Sequence, residues 1–344
     1  MALSIKEKDK PFIIAEMSGN HNQSLERAMK IVDAAADAGV DAVKLQTYTA
    51  DTMTIDKSDG EFFISDPNSL WEGESLYNLY KKAYTPWDWQ EKIFAHCRER
   101  GIDCFSTPFD DTSVDFLEKL NPPCYKIASF ENIDLPLIKK VAKTGKPMIV
   151  SSGMATVAEL DEMVRTAKEN GCNDLTLLKC TSSYPATPEG TNLMTIPHMK
   201  ELFKCNVGLS DHTLGIGVAV ASIALGATVI EKHFTLSRAD GGVDSAFSME
   251  PQEMAQLVRE CNAAWQALGE VSYGPTEQEK KSMIFRRSLY IVEDMKKGDV
   301  ITDKNMRCIR PSLGLAPKYY DVVLGKKVSC DVKRGTAITW NVVK

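Results

Sequence analysis

Short apolar, β-branched runs recur along the chain, each followed by a stretch in which apolar residues return every three or four positions. Eight such runs are present: FIIAE (12–16), AVKLQ (42–46), DCFST (103–107), CYKIAS (124–129), MIVSS (148–152), LTLLKC (175–180), NVGLS (206–210) and TVIEKHF (228–234). The stretches between them read as helices. SLERAMKIVDAAADAG and TVAELDEMVRTAKENG open on a hydroxyl residue that can cap the first free N–H groups, and close at a glycine. Eight strand–helix repeats close naturally as a (β/α)8 TIM barrel, so the expected fold class is α/β with a parallel sheet. An open doubly wound sheet is the alternative, but no glycine fingerprint follows the first run.

Two segments break the repeat. Residues 47–85, with SLWEGESLYNLYKKAYTPWDW, form a long aromatic-rich insertion after the second run, on the barrel face where active sites lie. After the eighth helix, YGPTEQEKKSMIFRR leads into SLYIVEDMKKGDVITDKNMRCIRP, which has short strands and turns in place of strand–helix units. The 344 residues therefore divide into a barrel (1–270), a linker (271–285) and a small β-rich module (286–344).

Composition narrows the chemistry. Apolar residues make up 43% of the chain, and no apolar run approaches the roughly 20 residues that cross a bilayer. The start, MALSIKEKDKPFIIAE, lacks the basic and apolar regions of a secretory signal, and the nine cysteines are scattered without a CxxC pair. A cytoplasmic, reduced protein is expected, with no membrane partner. The net charge of −6 carries no long basic run, which removes the electrostatic case for nucleic acid. A small molecule is the expected partner.

In a barrel the chemistry sits where strands end. Glu16 closes the first run, Lys44 and Gln46 the second, Ser106 and Thr107 the third. Lys126 and Ser129 come from the fourth, Ser151 and Ser152 from the fifth, Lys179 from the sixth. Ser210, Asp211 and His212 end the seventh, and Glu231 and His233 the eighth. Lysines on strands two, four and six with several hydroxyls make a cationic, donor-rich mouth suited to a phosphate and a carboxylate. Any one of these lysines could equally extend to solvent. His212 and His233 lie one repeat apart, so the barrel sets them side by side. Two imidazoles are too few for a closed structural metal site, which leaves positions for water and substrate on a divalent ion. Glu16 and Glu231 are candidate acid–base or supporting groups. His96 and His198 lie on helices and read as structural.

FIIAEMSGNHNQS, VKLQTY, FSTPFD, YKIASFE, SSGMAT, LLKCTSSYP, GLSDHT, VIEKHFTL and RRSLY with KKGD and IRPSLGL resemble, in order and over nearly the whole chain, the motifs of the sialic acid synthase family. Within it, the insertion, KCTSSYP and RPSLGLAPKYY are most similar to the pseudaminic acid branch. The resemblance implies a barrel joined to a C-terminal antifreeze-like (SAF) module and a condensation of phosphoenolpyruvate with an N-acetylated amino sugar. For this branch the sugar is 2,4-diacetamido-2,4,6-trideoxy-L-altrose, with N-acetylneuraminate or legionaminic acid synthesis as alternatives. It implies a divalent metal, manganese by preference with magnesium or cobalt as alternatives, on His212 and His233. Lys44, Thr107, Lys126, Ser129, Ser151, Ser182 and Ser210 match substrate-binding positions. Glu16, Tyr184, Glu231 and Asp244 match residues that position sugar, water or protons. Arg310 matches an arginine offered to the sugar in a neighbouring subunit, which implies a domain-swapped homodimer. Ser182, where an Asn is common, and RADGGVD around Asp244 depart from the family pattern and bear on which sugar is used.

Two readings of other classes are also open to the sequence. A pyruvate aldolase could use one of the strand-end lysines as a Schiff base. A non-catalytic carbohydrate-binding protein would have no reason to keep so charged a mouth.

Overall fold

The computed structural model describes residues 10–67 and 69–344. The absence of a secretory signal rests on residues 1–9, which lie outside the described residues. Two compact units are present, one ending at Gly269 and one spanning Glu270–Lys344.

The first unit is a closed parallel barrel in sequential order. Its strands are β1 (Phe12–Glu16), β2 (Ala42–Thr47), β3 (Asp103–Pro108), β4 (Tyr125–Ile127), β5 (Met148–Ser151), β6 (Leu175–Cys180), β7 (Asn206–Ser210) and β8 (Val229–His233). All eight fall on the expected runs. β4 is the shortest, because Ala128 and Ser129 already turn toward the following loop. Helices Leu25–Asp37 and Val157–Glu169 begin at Ser24 and Thr156, whose side chains accept from the backbone N–H three residues on. Glu159 completes the second cap by reaching back to the Thr156 N–H.

The two-residue pleat sorts side chains onto two faces. Outward residues such as Ile13, Val43, Leu45, Tyr125, Leu177 and Ile230 pack under the helices in the larger core. Inward residues form a separate layer of Ile14, Ala42, Phe105, Cys124, Ile149, Leu178 and Val229, which plugs the barrel. Gly208 lets β7 close on β8: a Cβ there would sit 2.4 Å from the Val229 carbonyl oxygen. Two residues further along each strand, the inward positions become polar.

The insertion after β2 carries the helix Leu76–Ala83, followed by the helix Trp87–Glu99. It is pinned to the barrel by Gln23 Nε2, which donates to the Lys82 and Tyr84 carbonyls at 2.9 and 2.7 Å. His21, fully buried, meets Thr85 Oγ1 at 3.2 Å, and burial pushes its pKa down to about 4. It acts as a neutral packing residue at this junction.

The second unit pairs β9 (Ser288–Ile291) antiparallel with β10 (Met306–Ile309). It has its own core, including Leu289, Ile291, Ile301, Val323 and Ile338. Residues 281–285 are tied to it, since Ser312 donates from its N–H to the Ile284 carbonyl and from Oγ to the Met283 carbonyl. No described helix is long and apolar enough to cross a membrane.

Candidate active site

At the C-terminal end of the barrel lies a cavity of about 400 Å³. Its floor is the polar layer above the apolar plug. Lys44 Nζ sits 2.8 Å from Glu16 Oε2 and 3.2 Å from Glu231 Oε1, with Thr107 Oγ1 at 3.5 Å. Lys126 Nζ donates to Ser151 Oγ at 2.7 Å and lies 3.8 Å from Glu231 Oε1. Gln46 Nε2 donates to Glu16 Oε1, and Ser210 Oγ to Glu231 Oε1, at 2.8 and 3.1 Å. Two buried ammoniums thus share two buried carboxylates, with hydroxyls around them.

This pairing sets the charges. Burial opposes ionisation of Glu16, but Lys44 and His233 outweigh it and hold the carboxyl well below the usual range. Burial likewise opposes the charge on Lys44, yet its two carboxylate neighbours raise its pKa above the ordinary value. Lys126 is different: burial lowers its pKa and the more distant Glu231 offsets this only in part.

Above this layer stand the histidines, with ring centroids 5.3 Å apart. His212 Nδ1 lies 2.9 Å from the Thr181 carbonyl oxygen, which can only accept, so in the neutral ring Nδ1 carries the proton and Nε2 the lone pair. His233 Nδ1 is buried without a hydrogen-bond partner among the described residues, and its Nε2 is 3.5 Å from Glu16 Oε2. Burial lowers the pKa of His233. It also opposes the charge on His212, where Cys180 and the Thr181 carbonyl prevail and raise the pKa. The loop after β8 is clamped to His233 by the Met249 N–H donating to the His233 carbonyl at 2.8 Å. It brings Asp244 to 4.0 Å from His233 Nδ1, where Ser18 Oγ donates to Asp244. Tyr184 packs on His212 with centroids 4.5 Å apart.

The upper wall is apolar. Ile64, Trp71, Leu76, Leu79 and Tyr80 come from the insertion, with Phe130 and Val243 from other loops. Trp71 Nε1 donates to the Val243 carbonyl at 3.0 Å, which closes the insertion across the mouth. Glu131 also lines the cavity. Its Oε2 has no hydrogen-bond partner among the described residues, and burial pushes the carboxyl up to about 7.

Residues 31–273 match the NeuB family, and 286–344 match the SAF domain. The chain belongs to the NeuB family. Its NeuB relatives include the pseudaminic acid synthase of Campylobacter jejuni, 45% identical over 96% of this chain and 95% of that one. The pseudaminic acid synthase of Helicobacter pylori is 42% identical over 96% of each. The N,N'-diacetyllegionaminic acid synthase of C. jejuni is 36% identical over 96% of this chain and 99% of that one. The crystal structure of N-acetylneuraminic acid synthetase from Leptospira borgpetersenii superposes with a TM-score of 0.71 at 30% identity, covering 80% of this chain and 91% of that one.

Thirteen residues singled out in the sequence line this NeuB cavity: Glu16, Lys44, Gln46, Thr107, Lys126, Ser129, Ser151, Tyr184, Ser210, His212, Glu231, His233 and Asp244. Ser182 stands behind the wall and donates to Ser129 Oγ at 2.7 Å. Arg310 belongs to the second unit, exposed just after β10. Lys179 is a correction. Its neighbours Leu178 and Cys180 face inward, so the pleat turns it outward, where its Nζ donates to the Cys180 carbonyl at 2.9 Å. Two lysines, not three, enter the mouth. Sequence reasoning missed Glu131, which a loop delivers after the short β4. It also missed Cys180, whose inward parity on β6 was readable. Burial would raise the Cys180 thiol, but His212 and Lys126 outweigh it and bring it down to about 7.

Proposed function

We propose that this chain is a pseudaminic acid synthase, condensing phosphoenolpyruvate with 2,4-diacetamido-2,4,6-trideoxy-L-altrose. The observation that carries the reading is the stack of chemistries in one cavity: a buried lysine–carboxylate–hydroxyl floor, two imidazoles above it, and an apolar wall over both. The names of the relatives at 42–45% identity support the same choice of sugar.

Lys44 and Lys126, with Thr107, Ser129, Ser151 and Ser210, hold the phosphate and carboxylate of phosphoenolpyruvate. The sugar lies above, its acetamido methyls and C6 methyl against Ile64, Trp71 and Leu76. Carbon 3 of phosphoenolpyruvate bonds to the open-chain aldehyde carbon, whose oxygen takes up a proton. Water adds to carbon 2, losing a proton, and the C–O bond to phosphate then breaks to give the 2-keto acid. Glu16, Glu231 and Asp244 position the reacting groups. Glu131, with its pKa near neutrality, is suited to take up or release a proton. Burial raises the Tyr184 phenol well above its ordinary pKa, so it serves as a donor.

The donor set fits a divalent ion. The His212 Nε2 lone pair is free of its Thr181 contact, and the buried His233 Nδ1 lacks a partner. Among the described residues no three His, Cys, Asp or Glu side chains gather as ligands, and in this reading His212 and His233 would hold the ion. A bound divalent cation, manganese by preference with magnesium or cobalt as alternatives, would polarise the aldehyde oxygen. The proposal includes a cytoplasmic location, the division 1–270, 271–285 and 286–344, and a domain-swapped homodimer in which Arg310 would reach the sugar in a neighbouring subunit.

The test is phosphate release from phosphoenolpyruvate with manganese, in parallel with the altrose sugar, N-acetylmannosamine, the legionaminic precursor and no sugar. Release with the altrose sugar alone is expected. Release with another sugar alone would move the substrate, and borohydride trapping of pyruvate without phosphate release would restore the aldolase.

A further inference from the structure

Lys232 sits between two cavity residues and faces the other way. Glu231 and His233 point into the barrel, so the pleat turns Lys232 into the layer beneath the helices. That layer is an apolar core with Ile230, Ala219, Ile223 and Cys261 among its members, and the Lys232 side chain is only 1% exposed. An ammonium there is tolerable only if fully partnered.

Its partners come from one loop. Lys232 Nζ donates to Asp211 Oδ2 at 2.8 Å, to the Thr213 carbonyl at 2.7 Å and to the Gly215 carbonyl at 3.1 Å. The other Asp211 oxygen accepts from the Thr213 N–H at 2.9 Å and from Thr213 Oγ1 at 2.8 Å. The loop after β7 is therefore folded around a single charge. Residues 211, 213 and 215 are held by it, and His212 is left facing the cavity. The helix that follows, Gly217–Ala224, has no side-chain cap of its own. Since Lys232 belongs to β8, the strand that ends in His233, this contact links the carriers of both imidazoles.

We infer that Lys232 is a positioning residue, which through Asp211 fixes the place of His212 relative to His233. The inference rests on the reading of these two histidines as ligands of a divalent ion. Stability alone does not account for the pair, because apolar side chains usually fill such a site at least as favourably as a buried ion pair.

The test is Lys232→Met combined with Asp211→Asn, which removes both charges together and keeps an acceptor for the Thr213 N–H. The readouts are melting temperature, manganese affinity of the substrate-free protein by calorimetry, and kcat with the two KM values. The double variant is expected to melt close to wild type. Its manganese affinity and kcat are expected to fall about tenfold or more, as for other groups that orient metal-binding histidines. The KM for phosphoenolpyruvate, held mainly by Lys44, Thr107, Lys126, Ser129 and Ser151 from other strands and only at Ser210 from β7, should stay within about threefold. If the double variant does not fold, Thr213→Val, which removes one bond to Asp211 without touching a charge, is expected to weaken manganese binding about threefold. A folded double variant, or failing that a Thr213→Val protein, that binds manganese like wild type overturns the positioning role. Wild-type protein that binds no manganese, magnesium or cobalt instead overturns the metal reading on which the inference rests.

Discussion

Glu131 is a carboxyl that the fold holds protonated at a cost, and the cost can be read as a pH effect. Its pKa rises from an ordinary 4.5 to about 7 because burial penalises the charge, and Oε2 finds no partner among the described residues. Between those two values the folded protein holds a proton that the unfolded chain has released. Stability therefore falls as pH rises through this window, and the loss is complete above about 7. Moving a carboxyl over this interval corresponds to about 3 kcal/mol. Glu131→Gln keeps the shape and has no proton to lose. Relative to wild type it should gain less than about 1 kcal/mol at pH 5 and about 3 kcal/mol at pH 8. The assay is urea unfolding of ligand-free protein at four pH values, followed by tryptophan fluorescence, which reports on the barrel through Trp71, Trp87, Trp89 and Trp265. A difference between variant and wild type that does not change from pH 5 to pH 8 would refute the reasoning.

Other perturbations separate the parts of the cavity. His212→Ala and His233→Ala should each abolish turnover and manganese binding while leaving the melting temperature nearly unchanged, because both lie above the apolar plug; full activity with metal present would contradict this. Lys44→Met leaves Glu16 and Glu231 buried with too little positive charge. It should cost about 3–5 kcal/mol in denaturant unfolding, most of it recovered on adding Glu16→Gln. Ile64→Asn places a polar group in the apolar wall and should raise the sugar KM about tenfold with the phosphoenolpyruvate KM unchanged in steady-state kinetics. Arg310→Ala should likewise weaken the sugar alone, and an unchanged sugar KM would count against the swapped dimer.

The barrel was legible because its strands are dense in β-branched and apolar residues and its helices carry their own caps. Once eight strands are placed, the period of two carries residues such as Glu16, Lys44, Lys126 and Glu231 to one layer without further information. The same rule, applied with care, excludes Lys179, which sits one position off the inward set of Leu178 and Cys180. Counting lysines by strand overlooked that parity. What sequence could not place were side chains delivered by irregular backbone. Glu131 turns into the cavity from the loop after β4, and Trp71 reaches the distant Val243. Neither has a period to read. The role of Lys232 was hidden for a related reason, since its partners are two backbone carbonyls and an aspartate on a neighbouring loop.

The most direct test of the account follows the bridging oxygen of phosphoenolpyruvate. With that oxygen labelled as 18O, manganese and the altrose sugar, the products are analysed by mass spectrometry. The account predicts a nine-carbon acid without label and phosphate carrying it, since the C–O bond breaks and water supplies the keto oxygen. Label retained in the acid, or a condensation product formed without release of phosphate, would contradict it.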